Sequence, residues 1–216
     1  MNLPNRLTLL RIILIPFILL FLLIGELGIV ENSPSQLGII TFGRYMALVL
    51  FTVATITDWL DGWIARSRNL ITNFGRLMDP LADKLLIMAV YVAFVELRYF
   101  PAWVVVIILG REFAVTGLRQ LAIEQGRVIQ ADRWGKNKTI AQMFTAFATL
   151  IALCIRDTMR WMGLWDGRNP LGLEMEWWMT LTINTLMGVV VFFTLVSGFL
   201  YLYRNWDVVN PREARA

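Results

Sequence analysis

The sequence predicts an all-α integral membrane protein with six transmembrane helices. Of its 216 residues, 57% are hydrophobic, which is more than the core of a soluble domain of this length requires. These residues occur in long runs separated by short polar segments, as expected for helices that cross a bilayer. Lysine and arginine concentrate in alternate connections, the pattern typical of a chain that crosses the membrane several times. We expect a single membrane-embedded domain over residues 1–216.

Six apolar segments are long enough to span the hydrocarbon layer. Before the first of them, Pro4 and Asn5 followed by LTLLR predict a short interfacial helix. No small-residue cleavage site follows the first segment, so we interpret it as a retained helix rather than a signal peptide. The predicted spans are approximately 7–27, 41–66, 75–97, 101–123, 138–156 and 178–203.

The distribution of basic residues predicts the orientation. They are frequent at the N-terminus, in the second and fourth connections and in the C-terminal tail, whereas the loop 28–40 contains none. By the positive-inside rule both termini are cytoplasmic, as an even number of spans requires. The second segment ends in an acidic stretch, which we therefore expect at the cytoplasmic interface.

Four aspartates interrupt the apolar pattern. A carboxylate inside a transmembrane helix costs roughly 2.5–3.5 kcal/mol, so a group of four requires compensation. Asp58 and Asp61 are three residues apart and Asp79 and Asp83 are four apart, so each pair shares one face of a helix. Two facing helices would bring four oxygen donors to one place. Such donors suit Mg²⁺ or Mn²⁺.

The residue types that the chain lacks narrow its chemistry. It has no histidine, and its single cysteine, Cys154, lies in an apolar run. A general base must therefore be a carboxylate, a lysine or a tyrosine, and a metal site must be rich in oxygen. Thiolate metal sites and disulfides within the chain are excluded.

Small and basic residues accompany the aspartates. Gly62, Ala65 and Gly75 each lie four residues from an aspartate, so they share the acidic helix faces. Positions with little or no side chain let helices pack closely or let a ligand such as a diphosphate approach. Arg66 could contact a phosphate at the membrane surface. Metal ions held by four carboxylates would neutralise a diphosphate and polarise its phosphorus.

The run D-x2-D-G-x2-A-R-x8-G-x3-D-x3-D, from Asp58 to Asp83, resembles the signature of the CDP-alcohol phosphotransferase family. This resemblance implies a six-helix membrane enzyme, usually a homodimer, that transfers a substituted phosphate from a CDP-linked donor to an alcohol and releases CMP. It also implies that the aspartates hold two metal ions and that Asp83 is the base that deprotonates the acceptor hydroxyl. The residues implied to line the pocket of the CDP-linked donor are Gly62, Ala65, Arg66, Thr72 and Gly75.

The segments NLPNRLTLLRIILIP, REFAVTGLRQLAIEQG and GKNKTIAQM resemble one bacterial branch of this family. In that branch the donor is CDP-diacylglycerol, the acceptor is glycerol 3-phosphate, and the product is phosphatidylglycerol phosphate. The resemblance implies a multi-pass protein in contact with membrane lipids of the bacterial inner membrane, with its active site facing the cytoplasm.

Basic residues in the second half of the chain favour a phosphorylated acceptor. Arg111 is one of few charges in the fourth apolar segment, and an arginine in such a segment needs an anionic partner. Glycerol 3-phosphate would supply one through charge-assisted hydrogen bonds, with its 1-hydroxyl facing Asp83. Alternatively, Arg111 forms a structural ion pair with another helix, and the other basic residues of this set only determine topology. The candidate residues are Arg111, Arg119, Lys136 and Lys138.

Two alternatives remain open. The first is a sibling enzyme that uses inositol phosphate or another alcohol as acceptor, although the basic residues disfavour serine. The second is a divalent-cation transporter, because acids inside the membrane also mark ion pathways. An absent inverted repeat and the position of the aspartates near one face disfavour transport.

Overall fold

The computed structural model describes residues 3–26, 34–67, 73–127, 129, 133–165 and 175–209, and within this part of the chain all regular structure is helical. For several helical residues, including 61–67, the backbone alone is described. The predicted all-helical class is confirmed for these residues. The helices are α1 (Leu3–Leu22), α2 (Pro34–Ser67), α3 (Asn73–Glu96), α4 (Ala102–Glu124), α5 (Arg133–Trp161), α6 (Met175–Arg204) and α7 (Trp206–Val209).

Within the described residues, four helices are long and apolar enough to cross a membrane: α1, α2, α5 and α6. The helices α3 and α4, of 24 and 23 residues, have the necessary length but are not among these four. Large apolar side chains such as Phe42, Phe113 and Phe144 are exposed, as expected of a surface that faces lipid. The chain is therefore a membrane protein, while six spans remain a prediction.

Several predicted helix boundaries need correction. The separate interfacial helix at the N-terminus is wrong, because α1 is continuous from Leu3 to Leu22. Its Pro4 falls in the first turn, where the missing N–H leaves no helical hydrogen bond unmade. The helix α2 begins at Pro34, earlier than predicted, and α5 extends from Arg133 to Trp161. Hydropathy detects only the part of a helix that suits hydrocarbon, so polar terminal turns escape it.

The described residues group into two compact units. Unit 1 comprises Met1–Tyr99 and Ala146–Thr180, and unit 2 comprises Phe100–Thr145 and Leu181–Ala216. The helices α5 and α6 contribute to both units. The expectation of one domain stays a prediction.

In unit 1, α1 packs closely against α2. A side chain at Gly43 would meet the carbonyl oxygen of Phe21 at 2.7 Å, so only glycine permits this approach of the two helices. One and three turns further along α2, Ala47 and Ala54 are fully buried. Between them, Phe51 contacts Phe147 of α5, with ring centroids 4.8 Å apart. Small residues therefore let α2 pack tightly against its neighbours.

A buried ion pair joins three helices of unit 1. Arg44 of α2 donates from Nη1 to the carbonyl oxygen of Leu22 at 2.7 Å, and its Nε lies 3.3 Å from Oδ2 of Asp157 in α5. Arg156 also donates to Asp157, from Nη2 to Oδ1 at 2.8 Å. Both Arg44 and Asp157 are almost completely buried. This pairing compensates a charge that would otherwise be costly inside the apolar chain.

In unit 2, α7 packs against the end of α4. Val208 joins a buried cluster that contains Leu118 and Ala122 of α4 and Tyr201 of α6. The side chain of Gln125 donates from Nε2 to the carbonyl oxygen of Val208 at 3.0 Å. The short C-terminal helix therefore helps to fix the position of α6 against α4.

We expect Asp157→Leu to destabilise the protein by about 3–5 kcal/mol, because Arg44 would stay buried without its counter-charge. A thermal melt of the purified protein in detergent measures the change. Asp207→Asn is the control, since Asp207 forms a half-exposed pair with Arg127 and its loss costs below about 1 kcal/mol. Equal melting temperatures for both variants would contradict the structural role of Asp157.

Candidate functional site

Asp58 of α2 and Asp79 of α3 lie close together in unit 1. Asp58 lies in the second half of α2, and Asp79 lies in the first half of α3. The carboxylates of Asp58 and Asp79 are near enough for their charges to interact. Asp83 follows one turn after Asp79 and is half-buried. The structure thus brings together acids that are distant in sequence.

Each of the two facing carboxylates contacts a side chain of α1. Nη1 of Arg11 lies 2.6 Å from Oδ1 of Asp58, and the hydroxyl of Thr8 donates to Oδ1 of Asp79 at 2.5 Å. Arg11 is completely buried, whereas the side chain of Asp58 is 39% exposed. Both of these contacts are made to Oδ1. The helix α1 therefore fixes the orientation of both acids.

Sequence reasoning did not find Thr8 and Arg11 as site residues. A signal was present, because Asn5, Thr8 and Arg11 recur every three residues in a predominantly apolar helix. All three are buried. A row of polar residues on the buried face of an apolar helix requires polar partners, and Asp58 and Asp79 supply them for Arg11 and Thr8.

Several predicted site residues cannot be placed. Asp61, Gly62, Ala65 and Arg66 belong to the part of α2 whose backbone alone is described, and Thr72 lies outside the described residues. Gly75 is buried in the first turn of α3. The predicted donor pocket thus stays a prediction.

The carboxylate oxygens of these aspartates are suitable ligands for a divalent cation. Carboxylate oxygens are the ligands that Mg²⁺ and Mn²⁺ prefer. Among the side chains that the structure describes, no group of three or more acidic or thiol side chains lies close enough to hold an ion. The predicted ligand Asp61 is outside this set. The site of four ligands, Asp58, Asp61, Asp79 and Asp83, therefore stays a prediction with which the donor chemistry agrees.

Unit 2 contains a basic cavity of about 400 Å³. Three of the four predicted basic residues line it, and the described lining contains no acidic side chain. Arg111 and Arg119 are near enough to repel one another, so the cavity favours an anion that neutralises both. The lining residues are Arg111, Val115, Arg119, Gly135, Lys136, Thr139, Ile140 and Tyr201.

Lys138, the fourth predicted residue, does not line this cavity. It is buried and forms an ion pair with Oε1 of Glu112, and Nη1 of Arg111 lies 3.3 Å from the same oxygen. Glu112 therefore joins Lys138 to Arg111 and limits the positions that the guanidinium can take. Arg111 thus pairs with Glu112 of its own helix, and its Nε has no hydrogen-bond partner among the described residues. Lys138 is thus linked to the cavity through Glu112 and Arg111.

Comparison with known proteins gives a consistent result. Residues 1–168 match the model of the CDP-alcohol phosphatidyltransferase family. A Bacillus subtilis protein named CDP-diacylglycerol–glycerol-3-phosphate 3-phosphatidyltransferase is 38% identical over 97% of this chain and 97% of its own length. A Mycoplasma pneumoniae protein with the same name is 42% identical over 98% of this chain and 90% of its own length. A Rickettsia bellii protein with that name is 32% identical over 93% of this chain and 93% of its own length.

We expect Glu112→Gln to lower the melting temperature, because Arg111 and Lys138 would stay buried without a carboxylate, at a cost of about 3–5 kcal/mol. Inorganic phosphate should then raise the melting temperature of this variant, since an anion can replace the lost charge. Glu124→Gln, at an exposed position near the end of α4, is the control. It should change neither the melting temperature nor the effect of inorganic phosphate on it. A Glu112→Gln protein as stable as the wild type would contradict the assigned ion-pair network.

Proposed function

The chain belongs to the CDP-alcohol phosphatidyltransferase family, and from this premise we propose that it transfers the phosphatidyl group of CDP-diacylglycerol to the 1-hydroxyl of sn-glycerol 3-phosphate. The products are phosphatidylglycerol phosphate and CMP, which makes the protein an enzyme of phospholipid biosynthesis. This proposed reaction is supported by the shared name of relatives that match the chain over nearly their whole length.

The basic cavity of unit 2 is the observation from which we infer a phosphorylated acceptor. Arg111, Arg119 and Lys136 supply positive charge to a space that suits a small phosphate monoester. Glycerol 3-phosphate carries close to two negative charges at neutral pH and has a free hydroxyl. Serine carries no phosphate and would leave these cations without a partner. We assign the binding of the acceptor phosphate to these three residues and the orientation of Arg111 to Lys138, through Glu112.

We assign the donor to the acidic ends of α2 and α3. Asp58, Asp61, Asp79 and Asp83 would hold two Mg²⁺ or Mn²⁺ ions, with Arg11 and Thr8 orienting two of these carboxylates. Bound divalent ions neutralise the diphosphate and polarise the phosphorus under attack. The residues proposed to line the pocket of CDP-diacylglycerol are Gly62, Ala65, Arg66, Thr72 and Gly75.

Asp83 is the proposed general base. Its carboxylate accepts the proton of the 1-hydroxyl while that oxygen attacks the β-phosphorus of CDP-diacylglycerol. The bond between this phosphorus and the oxygen of CMP breaks, and CMP leaves with the electron pair. The chain has no histidine, so its general base must be a carboxylate, a lysine or a tyrosine, and Asp83 supplies a carboxylate.

We place the enzyme in the bacterial inner membrane with its acidic ends at the cytoplasmic face. The basic connections support this orientation by the positive-inside rule. The homodimer is proposed from the family resemblance alone.

The reaction is tested by measuring CMP release from CDP-diacylglycerol by the purified protein with Mg²⁺. Glycerol 3-phosphate, inositol phosphate and serine are compared as acceptors, and we expect release only with glycerol 3-phosphate. Release with inositol phosphate alone would show that the protein catalyses the related reaction with that acceptor. No release with any acceptor would contradict the proposed function.

Asp83→Asn should lower kcat by at least about 100-fold, because the variant cannot accept the proton of the acceptor hydroxyl. CMP release measures this loss, and an unchanged melting temperature shows that the variant is folded. Asp207→Asn makes the same chemical change at an exposed site and should retain full activity. An Asp83→Asn enzyme with more than roughly a tenth of the activity would remove Asp83 from the role of base.

Arg119→Ala should raise KM for glycerol 3-phosphate by about tenfold or more and leave KM for CDP-diacylglycerol nearly unchanged, since it removes a cation of the acceptor cavity. Initial rates at varied concentrations of each substrate separate the two constants. The exposed Arg160 of unit 1 provides the control variant Arg160→Ala. Equal KM values for glycerol 3-phosphate in the wild type and Arg119→Ala would refute the acceptor assignment.

A further inference from the structure

Tyr201 of α6 is fixed at the wall of the basic cavity. Its side chain is 4% exposed and belongs to the buried cluster that includes Val115, Leu118 and Val208. The same residue lines the cavity together with Arg111. Packing against α4 and α7 therefore holds the aromatic ring, and the position of the hydroxyl follows from that of the ring.

The hydroxyl of Tyr201 has no hydrogen-bond partner among the described residues, although it is buried. Its neighbour Thr139 differs, because the hydroxyl of Thr139 donates to the carbonyl oxygen of Gly135 at 3.2 Å. Tyr201 lies near enough to Arg111 for their electrostatic interaction to be significant, and Nε of Arg111 also lacks a described partner. A buried donor without a partner is unfavourable, so two neighbouring ones at a cavity indicate a ligand that accepts hydrogen bonds.

We propose that Tyr201 is a further binding residue for the acceptor, and that its hydroxyl donates a hydrogen bond to a phosphate oxygen of glycerol 3-phosphate beside Arg111. This inference rests on the proposed function. A phosphate monoester has three terminal oxygens, so it accepts a hydrogen bond from a neutral hydroxyl in addition to those from cations. The phenol adds a neutral donor whose oxygen is held in place by the packed ring.

Tyr201→Phe separates this role from a purely structural one. The substitution keeps the ring in its cluster and removes only the hydroxyl. Because that hydroxyl has no described partner, its loss should leave the melting temperature of the ligand-free protein unchanged or slightly higher. Tyr203→Phe is the matched control, since Tyr203 lies in the same helix, is 73% exposed and does not line the cavity.

The experiment uses the full-length protein in detergent and measures two quantities. In Tyr201→Phe we expect KM for glycerol 3-phosphate to rise about tenfold, with kcat and KM for CDP-diacylglycerol nearly unchanged. We also expect glycerol 3-phosphate to raise the melting temperature less than it does in the wild type. Inorganic phosphate, used as a competitive inhibitor of glycerol 3-phosphate, should bind more weakly by a similar factor. Tyr203→Phe should match the wild type throughout.

Three results would overturn the inference. One is an unchanged KM for glycerol 3-phosphate in Tyr201→Phe, with an active wild type. Another is a lowered melting temperature without ligand and an equal increase of both KM values, which would show a structural role. The third is a raised KM with unchanged inhibition by inorganic phosphate, which would place the hydroxyl against the glycerol part. A wild type that releases no CMP with glycerol 3-phosphate refutes instead the proposed function.

Discussion

A charge buried in an apolar helical chain needs a partner, and three ion pairs between helices follow from this requirement. In unit 1, Arg44 pairs with Asp157, and Arg11 pairs with Asp58. In unit 2, Lys138 pairs with Glu112. Each of these pairs joins two different helices, so the same contacts that compensate charge also determine which helices lie together. Stability and the positions of the polar side chains therefore depend on the same interactions.

The pairs also orient the residues to which we assign chemistry. Arg11 and Thr8 each hold one oxygen of a facing carboxylate, so α1 acts as a support for the acidic ends of α2 and α3. Glu112 does the same for Arg111 at the basic cavity. Because a supporting contact removes freedom from a side chain before its ligand arrives, it lowers the entropy that binding must overcome. The acids suit a metal-bound diphosphate, and the cavity suits a phosphate monoester.

The spacing of residues predicted much of this arrangement. Aspartates three and four residues apart indicated two acidic helix faces, and isolated basic residues in apolar segments indicated an anion site. The partners of these residues could not be predicted, because Thr8 is 71 residues from Asp79 and Lys138 is 26 residues from Glu112. Lys138 contacts Glu112, and its predicted role in acceptor binding stays a prediction. Tyr201 has no local pattern that would distinguish it from a tyrosine in a lipid-facing position.

The central claim is that the acidic ends of α2 and α3 bind a divalent cation, and electron paramagnetic resonance of Mn²⁺ measures such binding without turnover. We predict that the purified wild type binds Mn²⁺, that Asp79→Asn weakens this binding by about tenfold or more, and that Asp207→Asn does not change it. Equal Mn²⁺ affinity in the wild type and Asp79→Asn would contradict the account.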